Sequence, residues 1–164
     1  MKQTSMKQTG VTLIEVLVSV LVLSVGLLGI AGLNVVGLSY SSSAFQRAQA
    51  TQLAYDIIDR MRANREEAEK AGSGYVTAMG GTYTASTACE TAVCTPVQMA
   101  AYDKANWRVA LAETLPSGDG SVAIDTASKL VTVTVQWSDS IVVVQNDKQL
   151  DTRGTKSFTF RTEL

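Results

Sequence analysis

Residues 10–33 read GVTLIEVLVSVLVLSVGLLGIAGL, and nothing else in the chain constrains its folding as tightly. After Glu15 no charged residue occurs until Arg47, and residues 16–33 are apolar apart from two serines and three glycines. A run of 18 residues meets the lower bound for crossing about 30 Å of hydrocarbon as a helix. The first expectation is therefore a membrane-embedded stalk.

Two features separate this run from an ordinary signal peptide. The leader before it carries Lys2 and Lys7 and no acid, and a basic flank stays cytoplasmic under the positive-inside tendency. The run closes on Gly32, Leu33 and Asn34 and passes into more uncharged sequence, not into an A-x-A cleavage site, as a retained anchor would. Glu15 is the unusual residue. A lone carboxylate at mid-bilayer costs roughly 2.5 to 3.5 kcal/mol on insertion scales. Its place near the end of the run lowers that cost but still asks for a partner.

Gly10, Val11, Thr12, Leu13, Ile14 and Glu15 resemble the processing site of type IV prepilins and of the pseudopilins of type II secretion. The resemblance implies that a prepilin peptidase cuts between Gly10 and Val11 on the cytoplasmic side and methylates the new amino terminus at Val11. Glu15 then becomes the fifth mature residue, paired with the terminal amine of a neighbouring subunit, so that assembly supplies the counter-ion lipid does not. The family usually has Phe at the position of Val11 and, in major pilins, Pro at the position of Gly32. The same residues also fit a single-pass anchor whose glutamate merely sits at the interface.

The leader is a near-duplication, MKQTS then MKQTG, which makes Met6 a second candidate start beside Met1. Removing residues 1–10 takes the basic count from 14 to 12 against 15 acids, a net charge of −3. No basic surplus points to nucleic acid. The length of 164 residues and 46% hydrophobic content suit one small domain plus an anchor. Histidine is absent from the sequence, which removes His-based triads, His general bases and His-containing zinc sites.

Gly26, Gly29 and Gly32 recur at every third position. They mark a soft segment, a close helix contact, or the higher glycine content of membrane helices. From residue 39 the sequence turns polar without a helix breaker. Leu53, Ile57 and Met61 fall at i, i+4, i+8 with Ala50, Ala54 and Ile58 beside them, opposite Gln49, Gln52, Asp59, Arg62 and Glu66. Asp56 and Arg60 are spaced for a helical ion pair. Gly72 and Gly74 supply the stop. One helix over residues 11–71 would be about 90 Å long, whereas the remaining chain makes a globule with a radius of gyration of about 12 Å. The expectation is a lollipop, with the first half of the helix an anchor and the second half packed on the head.

Residues 72–87 form a glycine- and threonine-rich connector with Gly80-Gly81 as a turn signal. It leads to Cys89 and Cys94, for which an exported head makes an oxidised pair the default. A redox motif would usually be C-x-x-C, and zinc needs further ligands. Pro96 opens a second helix with Thr95 as N-cap. Met99, Trp107 and Leu111 give that helix its apolar contacts, and it runs to about Thr114. In residues 129–137, Val131, Val133, Val135 and Trp137 alternate with Thr132, Thr134 and Gln136, a half-buried strand. Residues 121–125 and 156–163 are its expected neighbours, with Phe158 and Phe160 facing one way. Residues 141–144 fit either a strand or a long excursion, so the sheet has three strands or four.

The expected architecture is α+β, a pilin-like lollipop: leader 1–10, transmembrane half of the stalk 11–38, amphipathic half 39–71 and periplasmic head 72–164. The segment LAYDIIDRMRANR, the cysteine pair, Trp107, the LPSGDG turn and the closing RTEL resemble PilV-type minor pilins. No catalytic constellation, phosphate-binding glycine spacing, metal site or cofactor motif is present in the sequence. The resemblance implies a structural and assembly subunit, a minor pilin that helps prime a type IV pilus at its tip. Its implied partners are other minor and major pilins, the prepilin peptidase, the inner-membrane assembly platform, a tip adhesin and membrane lipid. It also implies a single-pass inner-membrane location, amino terminus cytoplasmic and head periplasmic, before transfer to the fibre. A minor pseudopilin of type II secretion and a membrane-anchored periplasmic binding module are the alternatives.

Overall fold

An all-round apolar surface at the start of the chain gives way further on to a one-sided apolar stripe, and a single helix carries both. In the computed structural model, which describes residues 10–80, 84–145 and 148–164, α1 spans Leu13–Ala63, α2 Arg65–Ala68 and α3 Pro96–Thr114. Three strands come after them: β1 Asp119–Asp125, β2 Leu130–Gln145 and β3 Lys148–Glu163. The leader with Met1, Lys2, Met6 and Lys7, Gly81 of the connector turn, and Asn146 and Asp147 lie outside the described residues. The chain divides into two units, one ending at Leu38 and the other Ser39–Leu164.

In the first unit the helix surface is apolar on every side. Val20, Leu23, Leu27 and Leu28 are all exposed, so the segment has no dry stripe of its own and suits an apolar solvent. Its two serines are satisfied locally. Ser19 Oγ donates to the Glu15 carbonyl and Ser24 Oγ to the Val20 carbonyl, both at 2.7 Å, so neither hydroxyl is left unpaired where water is absent. The helix runs unbroken through Gly26, Gly29 and Gly32, and a Cβ at any of them would meet no other atom. Hydrocarbon offers the backbone no competing partner, which holds a helix that glycine would weaken in water.

The second unit buries the expected stripe. Ala50, Ala54, Ile57, Ile58 and Met61 are fully buried and Leu53 partly so, while Gln52, Asp59, Arg62 and Glu66 are exposed and Gln49 half-buried. They share one core with Ala100, Trp107 and Leu111 of α3, Val122 of β1, and Val131, Val133, Val135 and Trp137 of β2. The start of α3 is built by a capping box: Thr95 Oγ1 accepts from the Gln98 N–H, the Gln98 side chain accepts from the Thr95 N–H, and Pro96 fills the first helical position. Trp107 lies in the core as expected, and its Nε1 donates to the Leu53 carbonyl of α1 at 2.8 Å. Gly120 allows β1 to pass beneath it. A Cβ there would sit 2.6 Å from the Trp107 ring and 2.8 Å from Leu111, so the close approach needs glycine.

The sheet is antiparallel in the order β1-β2-β3, which makes the head α+β with three strands. Val131, Val133, Val135 and Trp137 are buried and Thr132, Thr134 and Gln136 half-buried, as their alternation demands. Phe158 and Phe160 pack against the same core. Two boundaries differ from expectation. Residues 141–144 belong to β2, and β3 starts at Lys148 because Lys148 to Thr155 pair with Ser138 to Gln145. The apolar alternation lapses over Ser138, Asp139 and Ser140 while backbone pairing continues, so the period-2 signal ends before the strand does. Beyond Gln136, β2 has no β1 partner, and β2 and β3 run on as a two-stranded ribbon.

The helical course expected through residue 71 breaks at Asn64, where φ is −116° and ψ 48°. The Asn64 amide donates to the Pro96 carbonyl at 2.7 Å and to the Tyr75 hydroxyl at 3.2 Å. This side chain bonds to elements distant in sequence and redirects the chain into the single turn of α2. Gly72, at φ +75°, then turns the chain out of helical geometry. The Gly74 N–H donates to Glu67 Oε1 at 3.0 Å.

Two polar groups fasten the connector to this core. Arg108, fully buried on α3, donates to the carbonyls of Ala78 (2.8 Å), Gly80 (2.9 Å) and Gly120, and its guanidinium meets Asp119 Oδ1 at 2.6 Å. Thr77 and Val122 exchange backbone hydrogen bonds beside it, which covers part of the β1 edge. The Tyr75 hydroxyl donates to Asp103 Oδ2 at 2.7 Å, and Asp103 also meets Arg60 at 3.2 Å. Burial, and then the Asp103 hydrogen bond, pushes the Tyr75 pKa up, so the phenol stays a donor. Asp56 pairs with Arg60 at 3.0 Å as its spacing allowed.

Truncating Arg108 leaves Asp119 and three carbonyls without this partner. Urea unfolding of the detergent-solubilised chain, monitored by tryptophan fluorescence, should show Arg108→Ala destabilising it by about 3 kcal/mol. Removing the exposed Arg62 by the same change should cost less than about 1 kcal/mol. A pH dependence arises from Glu67, whose pKa is held below its usual 4.5 first by the Gly74 N–H and then by Lys70. Its contribution is full above that usual value and is lost as pH falls through the depressed one. Unfolding midpoints should therefore drop on acidification through that window, and Glu67→Gln should make the drop smaller.

Candidate functional site

Residues 10–15 and the cysteine pair are the places where the sequence concentrates chemistry. Gly10, Val11 and Thr12 precede α1, and Leu13, Ile14 and Glu15 form its first turn. Thr12 caps that turn. Its carbonyl accepts from the N–H of Glu15 at 3.1 Å and of Val16 at 3.3 Å, and its Oγ1 accepts from the Glu15 N–H at 3.4 Å. The peptide between Gly10 and Val11 therefore lies outside the helix, its backbone free of the helical hydrogen bonds a peptidase would have to break.

Val11, Leu13 and Ile14 are exposed apolar side chains. The Glu15 carboxylate is exposed as well and has no partner among the described residues. Position three of a helix is favourable for a negative charge because the free N–H groups point toward it. The first turn thus offers one anion, one exposed apolar flank and an open backbone.

Cys89 and Cys94 form the expected disulfide, with Cα atoms 5.5 Å apart. The loop it closes is tied to α3 by the Tyr102 hydroxyl, which donates to Glu90 Oε1 at 3.2 Å. Upstream, Ser86 and Asn106 exchange hydrogen bonds at 2.7 and 2.9 Å. The ring presents Val93 fully exposed. Among the described residues no group of three metal-ligating side chains occurs. Arg108, Tyr75, Asp103 and Asn64 were not singled out by sequence reasoning. Their partners lie 28 to 32 positions away or more in several cases, and the one local signal was a buried-face arginine directly after a core tryptophan.

Comparison with known families bears on both halves of this description. Residues 5–31 match the prokaryotic N-terminal methylation motif. Residues 32–105 match the Tt1218-like family, described as type IV pilin Tt1218. Together these matches support a type IV pilin. No curated protein and no solved structure gives a match. The pilin matches point to a structural subunit rather than an enzyme, and imply contact with other pilins and with the prepilin peptidase. The methylation motif and the exposed apolar helix fit an inner-membrane-anchored pilin.

Closing a six-residue ring stabilises the head by roughly 2 kcal/mol in the loop-entropy account. Thiol titration under denaturing, non-reducing conditions should find no free thiol in the wild type. The paired Cys89→Ser and Cys94→Ser change should lower the unfolding free energy by about that amount.

Proposed function

We propose that this pilin is a minor, PilV-like subunit of a type IV pilus that helps prime assembly at the fibre tip with other minor pilins. Prepilin peptidase cuts between Gly10 and Val11 and methylates Val11, and Thr12, Leu13, Ile14 and Glu15 form the assembly motif. The subunit waits in the inner membrane with its head in the periplasm until the assembly platform draws the stalk into the fibre. Its head then meets sister minor pilins, the major pilin and a tip adhesin.

The observation that carries this reading is Glu15, a carboxylate without a partner among the described residues, on a helix otherwise uncharged up to Arg47. An amine freed at Val11 of a neighbouring subunit supplies the missing charge. Bringing that amine and Glu15 together in lipid removes two costly lone charges at once, which makes pairing a driving force for assembly. The minor role is supported by the resemblance of residues 53–65, the cysteine pair and the LPSGDG turn to PilV-type chains.

Mass spectrometry of the chain from cells with an active peptidase should show an amino terminus at methylated Val11. Glu15→Ala should leave the chain inserted and folded yet reduce its incorporation into sheared surface pili by at least about tenfold, the loss of an interaction near 1.4 kcal/mol or more. Normal pili and twitching in that variant would overturn the assembly role. Normal pili with failed protein export would assign the chain to type II secretion instead.

A further inference from the structure

The head contains a polar pocket that neither the core nor the assembly motif uses. It has a volume of about 280 Å³ and is lined by Ser43 and Arg47 of α1, Trp137 and Asp139 of β2, and Lys156 and Ser157 of β3. Its shape comes from the ribbon. The cross-strand partner of Asp139 is Gly154, where even a Cβ would meet no atom within 4 Å, so the space beside the carboxylate stays open.

Asp139 is only 3% exposed, and Ser43 Oγ donates to its Oδ2 at 2.6 Å. Arg47 and Lys156, by contrast, are exposed cations with no hydrogen-bond or ion-pair partner for their side chains among the described residues. Six other cations of the head, Arg60, Arg62, Arg65, Lys70, Arg108 and Lys129, each hold a carboxylate, whereas Lys104 and Arg161, which lie outside the pocket lining, hold none among the described residues. The indole N–H of Trp137 is buried and lacks a partner, an unsatisfied donor in the pocket wall.

We propose that this pocket binds the headgroup of an anionic phospholipid, a phosphodiester carrying a small polyol such as glycerol. Two cations against one carboxylate leave the pocket with one positive charge, which matches the single negative charge of a phosphodiester. Arg47 and Lys156 take the phosphate oxygens through charge-assisted hydrogen bonds. The polyol hydroxyls donate to Asp139, which offers only acceptors. The volume is close to the low end of small-molecule sites, roughly 300 Å³, sufficient for a headgroup whose acyl chains remain outside.

A lipid is favoured over a free anion by the residues beside the pocket. Ser43 and Arg47 lie beyond Ser39 by about 6 and 12 Å of helix at 1.5 Å per residue. Tyr40 and Phe45, both between Ser39 and Arg47, are exposed, and Arg47 is the first charge after the uncharged run. Aromatic and basic residues at the end of an apolar run are the pattern of a membrane interface. The inference rests on the chain being anchored in a membrane, and not on its entering a fibre.

The test uses the full chain in detergent micelles, observed through the NMR signals of its two indole N–H groups. Dihexanoyl-phosphatidylglycerol should shift the Trp137 signal saturably and at least about tenfold more tightly than dihexanoyl-phosphatidylcholine. The Trp107 signal, bonded to Leu53, should stay in place and report that the head is folded. Arg47→Gln with Lys156→Gln should abolish the shift, while Arg161→Gln, a cation paired in register with Thr132 away from the pocket, should preserve it. Equal response to phosphatidylcholine or to phosphatidylethanolamine overturns the proposal, as does an equal loss in Arg161→Gln. Equally tight binding of free glycerol phosphate overturns the lipid as the source. A chain recovered soluble without detergent would refute the anchor itself, an outcome separate from a silent Trp137.

Discussion

A carboxylate without a partner among the described residues, Glu15, sets the physical problem of the amino-terminal part of this molecule. Thr12 accepts from the Glu15 and Val16 N–H groups of α1, and the two serines donate to carbonyls four residues back. Glu15 is the one charged side chain among the described residues of that segment, and it has no partner there. In water such a group would be unremarkable, since solvent pairs it. In hydrocarbon an unpaired carboxylate carries a solvation cost, and the proposed pairing with a second subunit would remove it.

The same helix meets a different demand after residue 39. Where surroundings are apolar everywhere, a helix gains nothing by sorting its faces. Where one side is core and the other is water, burying Ala50, Ala54, Ile57, Ile58 and Met61 while exposing Gln52, Asp59 and Arg62 is what stabilises it. The Trp107 indole bond to the Leu53 carbonyl ties α3 to this stripe. Around that contact the irregular connector is held by point fastenings, the buried Arg108 fan, the Tyr75 and Asp103 pair and the short disulfide. A connector of this kind has few backbone partners of its own, so side chains from α3 satisfy its carbonyls.

Local signals were legible and distant ones were not. The N-cap at Thr95, the alternation of Val131, Val133, Val135 and Trp137, the i, i+4 stripe of α1 and the cysteine pair all depend on residues a few positions apart, and each appears in the structure where the pattern placed it. The break at Asn64 escaped notice because asparagine is tolerated in a helix until its amide finds better acceptors at Tyr75 and Pro96. The length of the β2–β3 ribbon escaped because strand pairing uses backbone, which persists where side-chain alternation stops. The pocket at Asp139 escaped because it needs Ser43 and Asp139, 96 positions apart, to meet beside a glycine.

By itself, then, the sequence determined which part of α1 is apolar all round and which has one apolar face, where the N-terminal methylation motif lies, and that the head is a helix with an antiparallel sheet. Those outcomes stem from hydrophobic period, charge placement and turn chemistry, all of which act over one or two turns of chain. The tertiary structure alone decided where α1 yields to Asn64, how far the hairpin extends, which carbonyls Arg108 gathers and which cations remain unpaired. These are settled by competition among partners brought together by folding, and a buried polar group goes to whichever partner packing places within about 3 Å of it.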